Sequence, residues 1–411
     1  MPGHGNPGHG RRIGAALTEP TPPLRLGIAG LGLAGTIMLR GLQGWDGAEV
    51  TAAADHHETL LANFAGDYDA ETYTDVAELC QSNRVEAIYV ATQHQFHAEH
   101  AIMAAEHGKH IILEKPMALS LADCDAIIDA VERAGVQLVI GPTHSFDPNI
   151  EYMAEIIASG ELGALSMINT WNFNDFLYRP RRPEELDTSR GGGIIFNQLP
   201  HQIDSIRVLT GDKLHSVYAA LGVLDQARPT EGNATVMLRF AGGAAASMVY
   251  SGYDRFDSDE FFGWVGEGGQ DKPGDTHGAT RARLKGVSQE DEKARRTSAF
   301  GYKPSAEISG GRFAAPDNLR EGHFGVMVVS CEGGDMRPTP DGIAIYDDDG
   351  ARHVEIPAGK YLASRPAVVQ ELANAISGKA PARRDGQWGR ASLEAALAIQ
   401  QSSAERREVL L

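Results

Sequence analysis

From Leu24 to about His144, short β-branched and apolar runs alternate with stretches of helical spacing, the pattern of a parallel sheet covered by helices on both faces. The predicted strands are Leu26 to Ala29, Val50 to Ala54, Ala87 to Ala91, His110 to Leu113 and Leu138 to Ile140, with a weaker one near Thr72. Ser120 followed by Asp123 reads as a capping box opening a helix that ends near Gly135. Right-handed crossovers make this a doubly wound fold whose ligands lie at the carboxyl ends of the strands. After His144 the rhythm changes to a helix around Asn149 to Ser159 and longer alternating runs, Leu165 to Asn172, Ser216 to Leu224, Ala234 to Phe240 and Ala244 to Tyr250. These predict an α+β unit built on an open, mostly antiparallel sheet with one exposed face, a surface suited to homo-oligomer formation. The segment Arg255 to Gly325 is polar and glycine-rich, a long excursion over the surface or a partner subunit. Ser392 to Leu411 has helical spacing and is expected to pack back on the second unit. The expected organisation is therefore a disordered tail over 1–23, an α/β Rossmann domain over 24–144 and a substrate and oligomerisation domain over 145–411.

One turn in this pattern carries chemistry. Gly30-Leu31-Gly32-Leu33-Ala34-Gly35 follows the first strand and opens a helix near Thr36 to Leu42, and Asp55 ends the second strand twenty positions beyond the last glycine. A backbone turning tightly beside a pyrophosphate has no room for side chains at the turn, at the ligand or at the helix–strand contact, and Gly30, Gly32 and Gly35 fit those roles. The anion would rest on the unpaired N–H groups at the helix start, around Leu33 and Ala34. The carboxylate of Asp55 accepts ribose hydroxyls and repels a 2′-phosphate, so NAD is the expected cofactor. The neighbouring His56 and His57 are poor substitutes for the arginine an NADP site would want.

Composition narrows the function classes. The 411 residues, 42% hydrophobic and 22% charged, suffice for two domains with full cores. Thirty-seven Lys and Arg against fifty-five Asp and Glu give a net charge of −18, which opposes non-specific binding to nucleic acid or an anionic membrane. No apolar run reaches the length of a membrane span, and the first 23 residues lack the apolar core of a signal peptide, so a cytoplasmic location is expected. Cys80, Cys124 and Cys331 are too few and too scattered for a disulfide or zinc framework, which fits a reducing compartment. His94, His97 and His100 recur every three residues, but their spacing crosses a strand-to-helix junction without a convergent carboxylate or cysteine, and no metal is expected there.

Glu114-Lys115-Pro116 follows directly on a predicted strand, so Lys115 emerges at the carboxyl edge of the sheet, held in a non-helical conformation by the proline. An ammonium near an oxidised nicotinamide has its pKa lowered, which suits it to draw a proton from an alcohol; a surface lysine paired with Glu114 is the plain alternative. The glycine loop, the strand end Ala91-Thr92 with His97 beyond it, Glu114-Lys115-Pro116, and Gly191-Gly192-Gly193 followed by His201 and Asp204 together resemble the glucose–fructose oxidoreductase/inositol dehydrogenase (Gfo/Idh/MocA) family over nearly the whole chain. The resemblance implies NAD-linked dehydrogenation, with Thr92, His97, Glu114 and Lys115 beside the cofactor and Lys115 and His201 as the catalytic pair. Read alone, a histidine such as His201 in a helix-like run is more often a satisfied structural one, and the resemblance reverses that. A family aspartate commonly lies four residues before that histidine. Here the position is Asn197, whose amide orients a substrate but cannot accept a proton as a base.

A finer match runs from Thr170-Trp171-Asn172-Phe173 through Tyr178-Arg179-Pro180-Arg181-Arg182 to Arg190 and the triple glycine, with Gly141-Pro142-Thr143-His144 and Val329-Ser330-Cys331-Glu332. It is similar to the phthalate 4,5-cis-dihydrodiol dehydrogenases of the family. That likeness implies oxidation of the CH–CH unit of a small aromatic dicarboxylate dihydrodiol to 4,5-dihydroxyphthalate, ring aromatisation supplying the driving force. Arg179, Arg181, Arg182 and Arg190 concentrate four guanidiniums within twelve residues of an acidic protein, and with His144 they are expected to hold the carboxylates. Trp171 and Tyr178 offer faces for a flat ring. Some of these arginines are equally placed to pair with Glu184, Glu185 and Asp187. A sugar or inositol dehydrogenase and a cofactor-binding regulator without turnover are the competing readings.

Overall fold

Strand order in the first sheet reverses at the strand carrying the glycine loop, and that reversal opens the crevice on which the site depends. The computed structural model describes residues 22–303 and 319–411; the expected tail lies outside them except for Pro22 and Pro23. Over β1 (Leu24–Ala29), α1 (Leu33–Gly41), β2 (Ala48–Ala54), α2 (Glu58–Ala65), β3 (Glu71–Tyr73), α3 (Val76–Gln81), β4 (Ala87–Val90), α4 (His97–Glu106), β5 (His110–Leu113), α5 (Leu121–Ala134) and β6 (Leu138–Ile140), strand and helix alternate. The strands pair in parallel in the order β3-β2-β1-β4-β5-β6. Helices on both faces bury the central strands completely; Ala87, Ile88, Tyr89 and Val90 have no exposed surface. The Ser120 hydroxyl accepts from the Asp123 N–H and Gly135 ends α5 with φ 67°, so the cap and stop signals act as expected.

The second unit contains α6 (Pro148–Ser159), β7 (Leu165–Phe173), α7 (Gly193–Asn197), α8 (Leu199–Thr210), β8 (Leu214–Gly222), β9 (Asn233–Phe240), β10 (Ala245–Ser251), α9 (Ala279–Leu284), α10 (Gln289–Phe300), β11 (Val326–Cys331), β12 (Gly334–Thr339), β13 (Gly342–Asp347), β14 (Gly350–Glu355), α11 (Ser364–Ile376), α12 (Gly386–Glu405) and β15 (Val409–Leu410). Its nine strands run β14-β13-β12-β11-β7-β10-β9-β8-β15, antiparallel except for β7 against β10. One face packs on helices, and the other leaves Met167, Trp171, Tyr218, Met237 and Tyr346 exposed. The strands over 326–355 had no counterpart among the expected ones.

The C-terminal segment binds both units. α11 packs on α1, β5 and β6 of the first sheet, and α12 lies between α5 and β8. Arg384, fully buried, donates to the Ser145 carbonyl at 2.7 Å and to Glu371 at 3.0 Å, pairs with Glu151, and lies over the Phe146 ring. The return of the chain is thus onto both units rather than the second alone. The excursion does not wander freely: Glu292 pairs with Arg228 at 2.9 Å, Arg296 with Glu185 at 2.8 Å, and Tyr302 donates its N–H to the Leu31 carbonyl at 2.9 Å, tying the segment to the glycine loop. Its residues 304–318 lie outside the described ones.

Candidate active site

The glycine loop has the shape of a pyrophosphate cradle. Gly30 adopts φ +102°, and a Cβ there would lie 2.7 Å from the Ala91 carbonyl oxygen; at Gly35 it would lie 2.0 Å from the Gly30 carbonyl oxygen. At Gly32 a Cβ would meet nothing within 4 Å, so that position faces open space. Two glycines therefore serve packing and the middle one serves approach of a ligand. The N-cap of α1 carries no side-chain bond, and the first intrahelical donor of the chain here is Thr36, bonded to Gly32 at 2.9 Å. The N–H groups of Leu33, Ala34 and Gly35 are left for an anion. Asp55 accepts from the Leu31 N–H at 2.7 Å and from the His57 N–H at 2.9 Å, which fixes its carboxylate beside the loop. These residues fit NAD.

Lys115 follows the end of β5, at the same carboxyl edge of the sheet as this cradle. Its Nζ donates to the Asn197 carbonyl at 3.0 Å, crossing from the first unit to the second. His201 follows one turn later on α8, edge-on to His144 with ring centroids 5.1 Å apart and tilted against Phe324 at 4.9 Å. Burial lowers the Lys115 pKa, with Glu114 partly opposing it. Burial, reinforced by the Lys115 charge and by His144, holds His201 well below the usual histidine range, so its imidazole is neutral at pH 7. A second bond between the units joins His94 Nδ1 to the Gly191 carbonyl at 2.9 Å. The two groups thus lie near enough for the lysine charge to act on the imidazole.

Residues 24–142 match the oxidoreductase family with an NAD-binding Rossmann fold, and residues 150–270 match the GFO/IDH/MocA C-terminal domain. The chain belongs to the Gfo/Idh/MocA oxidoreductase family. It is 39% identical to a 1-carboxy-3-chloro-3,4-dihydroxycyclohexa-1,5-diene dehydrogenase of Comamonas testosteroni, over 92% of this chain and 94% of that protein. A myo-inositol 2-dehydrogenase of Thermotoga maritima is 32% identical over 56% of this chain and 71% of its own length. The crystal structure of a candidate dehydrogenase from Bordetella bronchiseptica RB50 superimposes with a TM-score of 0.89 at 45% identity, covering 95% of this chain and all of that one. The protein is accordingly an NAD-binding oxidoreductase.

Within this Gfo/Idh/MocA frame the motif residues divide into those that face the crevice and those that brace it. Glu114 accepts from the Tyr89 hydroxyl and from the Lys115 N–H at 3.1 Å, so its carboxylate steadies the lysine turn rather than reaching outward. His97 is fully buried, with Nδ1 2.8 Å from the Pro116 carbonyl and Nε2 3.2 Å from that of Thr92; burial pushes its pKa down to about 4, and no face is left for a cofactor. Thr92 lies beside the glycine loop, its hydroxyl 2.9 Å from His100 Nδ1. The Asn197 amide donates to the Gly191 and Gly193 carbonyls at 3.2 and 2.8 Å, leaving only its side-chain oxygen for a ligand. Asp204, seen in the sequence as part of the histidine motif, is a buried hub that accepts from Thr143, Ser145, Ser392 and Trp388.

The expected carboxylate-binding set needs correction. Arg179 bonds Asp175 at 2.7 Å and Glu267 at 3.3 Å. Arg181 donates to the Phe176 carbonyl and lies 3.6 Å from Glu185, and Arg182 lies 3.4 Å from both Glu184 and Glu185. Three of the four guanidiniums are thus neutralised by neighbouring carboxylates; Arg190 is exposed and makes no ion pair among the described residues. The Tyr178 ring is covered by Arg281 at 3.9 Å and its hydroxyl binds Asp225, so it has no face for a substrate. Trp171 is half exposed on the open sheet face, because its neighbour Thr170 points to α8, where it accepts from Gln202 at 2.9 Å. His144 spends its Nδ1 on Asp147 at 2.6 Å. Residues that the sequence did not flag close the pocket: Phe324 over both histidines, Glu267 on Arg179, and Arg365, whose charge acts on both Lys115 and His201. No local motif marks Phe324 or Glu267, since both come from the aperiodic excursion.

Proposed function

We propose that the protein oxidises a ring-carboxylated cis-dihydrodiol of a cyclohexadiene to the catechol, with phthalate 4,5-cis-dihydrodiol as the leading candidate substrate. The observation that supports the reading is the bond from Lys115 to Asn197, four residues before His201, together with the action of the lysine charge on the His201 imidazole. NAD, when bound, supplies the hydride acceptor. The neutral amine of Lys115 takes the hydroxyl proton as the carbonyl forms, His201 serves as the second proton acceptor, and Asn197 offers its side-chain oxygen to the neighbouring hydroxyl. The ketone then tautomerises to the catechol, so beyond positioning the diol the protein need only manage protons. Support for a carboxylated cyclohexadiene diol comes from the Comamonas relative, which is named for a substrate of that kind and whose match spans most of both chains.

Because three of the four arginines already carry carboxylate partners, a substrate with a single carboxylate is the second reading. The test is NADH formation with the phthalate dihydrodiol, a monocarboxylated cis-dihydrodiol and myo-inositol offered side by side. Turnover of inositol without either dihydrodiol would transfer the assignment to the polyol dehydrogenases, and NAD binding without turnover of any of the three would favour a regulator. The exposed face bearing Tyr218 and Met237 is proposed as the contact between copies of this chain, which sedimentation of Tyr218→Lys/Met237→Lys against wild type checks.

A further inference from the structure

Residues 271–303, the later part of the described excursion, lie outside both stretches that match the family. They leave from the second unit and end inside the first. α10 is tied to the second unit at two points: Glu292 accepts from the Arg181 N–H at 2.8 Å and pairs with Arg228 at 2.9 Å, and Arg296 pairs with Glu185 at 2.8 Å. Just beyond α10, Tyr302 is buried in the core that holds Leu31, Met38 and Phe64. Its ring lies edge-on to Phe64 with centroids 5.9 Å apart and tilted against Tyr68 at 6.3 Å. Its hydroxyl donates to Asp67 at 2.9 Å, and the Lys303 ammonium lies 2.8 Å from the other oxygen of that carboxylate. These contacts seat Tyr302 on α2 and the turn that follows it.

The seated residue touches the glycine loop itself. The Tyr302 N–H donates to the Leu31 carbonyl at 2.9 Å, while the N–H of the same Leu31 donates to Asp55 at 2.7 Å. Leu31 is thus held at both of its main-chain polar groups, one by the carboxylate expected at the ribose and one by the excursion. The Thr36 hydroxyl reaches the same carbonyl at 3.4 Å, a longer bond. That carbonyl belongs to the peptide leading into Gly32, the position that faces open space, and a glycine there has no side chain to resist rotation of the peptide. From this geometry we infer that Tyr302 is a positioning residue for NAD: docked on α2, it holds the Leu31–Gly32 peptide, and through Leu31 the Asp55 carboxylate, in the arrangement that receives the cofactor. The second unit thereby contributes to a cradle built from the first. The inference rests on the reading of Asp55 as the ribose ligand and on no particular alcohol. Docking and NAD binding are then linked, because whatever factor docking adds to NAD affinity, NAD adds to docking.

The experiment titrates NAD, without substrate, into wild type, Tyr302→Phe, Tyr302→Ala, Asp55→Ala and the double variant by calorimetry. Hydrogen exchange at the Tyr302 amide is followed in wild type alone. Tyr302→Ala loses the ring and hydroxyl that seat the residue and should weaken NAD about tenfold, the usual scale of coupling between linked sites. Tyr302→Phe keeps the ring and should fall between that variant and wild type. Because the effect passes through Leu31 to Asp55, adding Tyr302→Ala to Asp55→Ala should weaken NAD by clearly less than the same change does in wild type. A tyrosine that only filled the core would exert its full effect in both backgrounds. In wild type the Tyr302 amide should exchange about tenfold more slowly once NAD is bound. An unchanged Kd in Tyr302→Ala, full additivity in the double variant, or exchange at the Tyr302 amide indifferent to NAD overturns the inference, and the last of these needs no variant to fold. Asp55→Ala that binds NAD as wild type does would instead refute the ribose reading. Wild type that binds NAD but oxidises no dihydrodiol would refute the proposed substrate, with the NAD affinities still deciding the role of Tyr302.

Discussion

Gly32→Ala and Gly35→Ala differ by one methyl at two points of the same loop, and the structure assigns them opposite consequences. At Gly32 the backbone is extended, φ −73° and ψ −156°, and an added Cβ meets no protein atom within 4 Å. The folded protein should tolerate it at a cost of about half a kcal/mol for the poorer N-cap. The methyl would however occupy the space through which a pyrophosphate reaches the N–H groups of Leu33 and Ala34. At Gly35 the Cβ lies 2.0 Å from the Gly30 carbonyl oxygen, main chain that cannot swing aside, so overpacking should cost about 1–3 kcal/mol before any ligand is present. Thermal unfolding without and with NAD separates the two effects. A ligand at one hundred times its Kd stabilises the native state by about 2.7 kcal/mol, and a tenfold loss of affinity cuts that to about 1.4 kcal/mol. Gly32→Ala should keep nearly the wild-type Tm without ligand and lose half or more of the NAD-dependent rise. Gly35→Ala should already be several degrees lower in the ligand-free protein. If Gly32→Ala melts as early as Gly35→Ala without ligand, or retains the full NAD shift, the division of labour within the loop is mistaken.

Lys115→Ala should lower kcat by about two orders of magnitude with NAD affinity little changed, and should abolish the rise of rate with pH that accompanies loss of the lysine proton. Because burial lowers that pKa, the wild-type rise should fall below the range of an ordinary lysine, as a kcat profile will show. Asp55→Asn keeps an acceptor for the Leu31 N–H but removes the charge, so NAD should bind more weakly and the preference over NADP should narrow, measured by titration with both cofactors. Arg384→Ala leaves the partly buried Glu371 without its cation and Glu151 with Arg383 alone, and should destabilise the protein by about 3 kcal/mol in denaturant unfolding.

How far these features could be read from the chain depends on the range of the interaction that sets them. Strands β5 and β6 begin and end where expected, because the apolar residues of each short run are buried on both faces, even in β6 at the sheet's edge. The Ser120 cap and the glycine loop are equally local and equally legible. The arginine cluster was visible as charge, but its availability was not, since pairing with Glu185 and Glu267 is decided by how a turn and a distant loop come together. Trp171 was decidable in principle: Ile168, Thr170 and Asn172 are the buried parity of β7, which places position 171 on the other face. The strands over 326–355 also carried a signal, the acidic turn Asp348-Asp349 followed by Gly350 between β13 and β14, flanked by alternating residues. Glu267, His323 and Phe324 were not legible, because they come from a segment without periodicity and reach the pocket only through tertiary packing.

That tertiary packing explains how a site spread over both units can hold its reacting groups in register. Lys115 and His94 cross to the second unit at Asn197 and Gly191, and they do so beyond the ends of β5 and β4, whose apolar residues are wholly buried. The turn carrying His144 is gripped from two sides: Asp204 on α8 takes the hydroxyls of Thr143 and Ser145, and Arg384, just before α12, takes the Ser145 carbonyl. Neither hub touches the cradle, and both are charged groups whose partners are buried with them, an arrangement costly to loosen. A crevice that closed by swinging one unit against the other would have to break these contacts on every turnover. The position of the ammonium relative to the two imidazoles is therefore set by folding, ahead of any ligand, which is the condition under which fixed groups lower a barrier without reorganising. The excursion adds ties of its own, reaching the glycine loop through the backbone of Tyr302 and the histidine pair through Phe324.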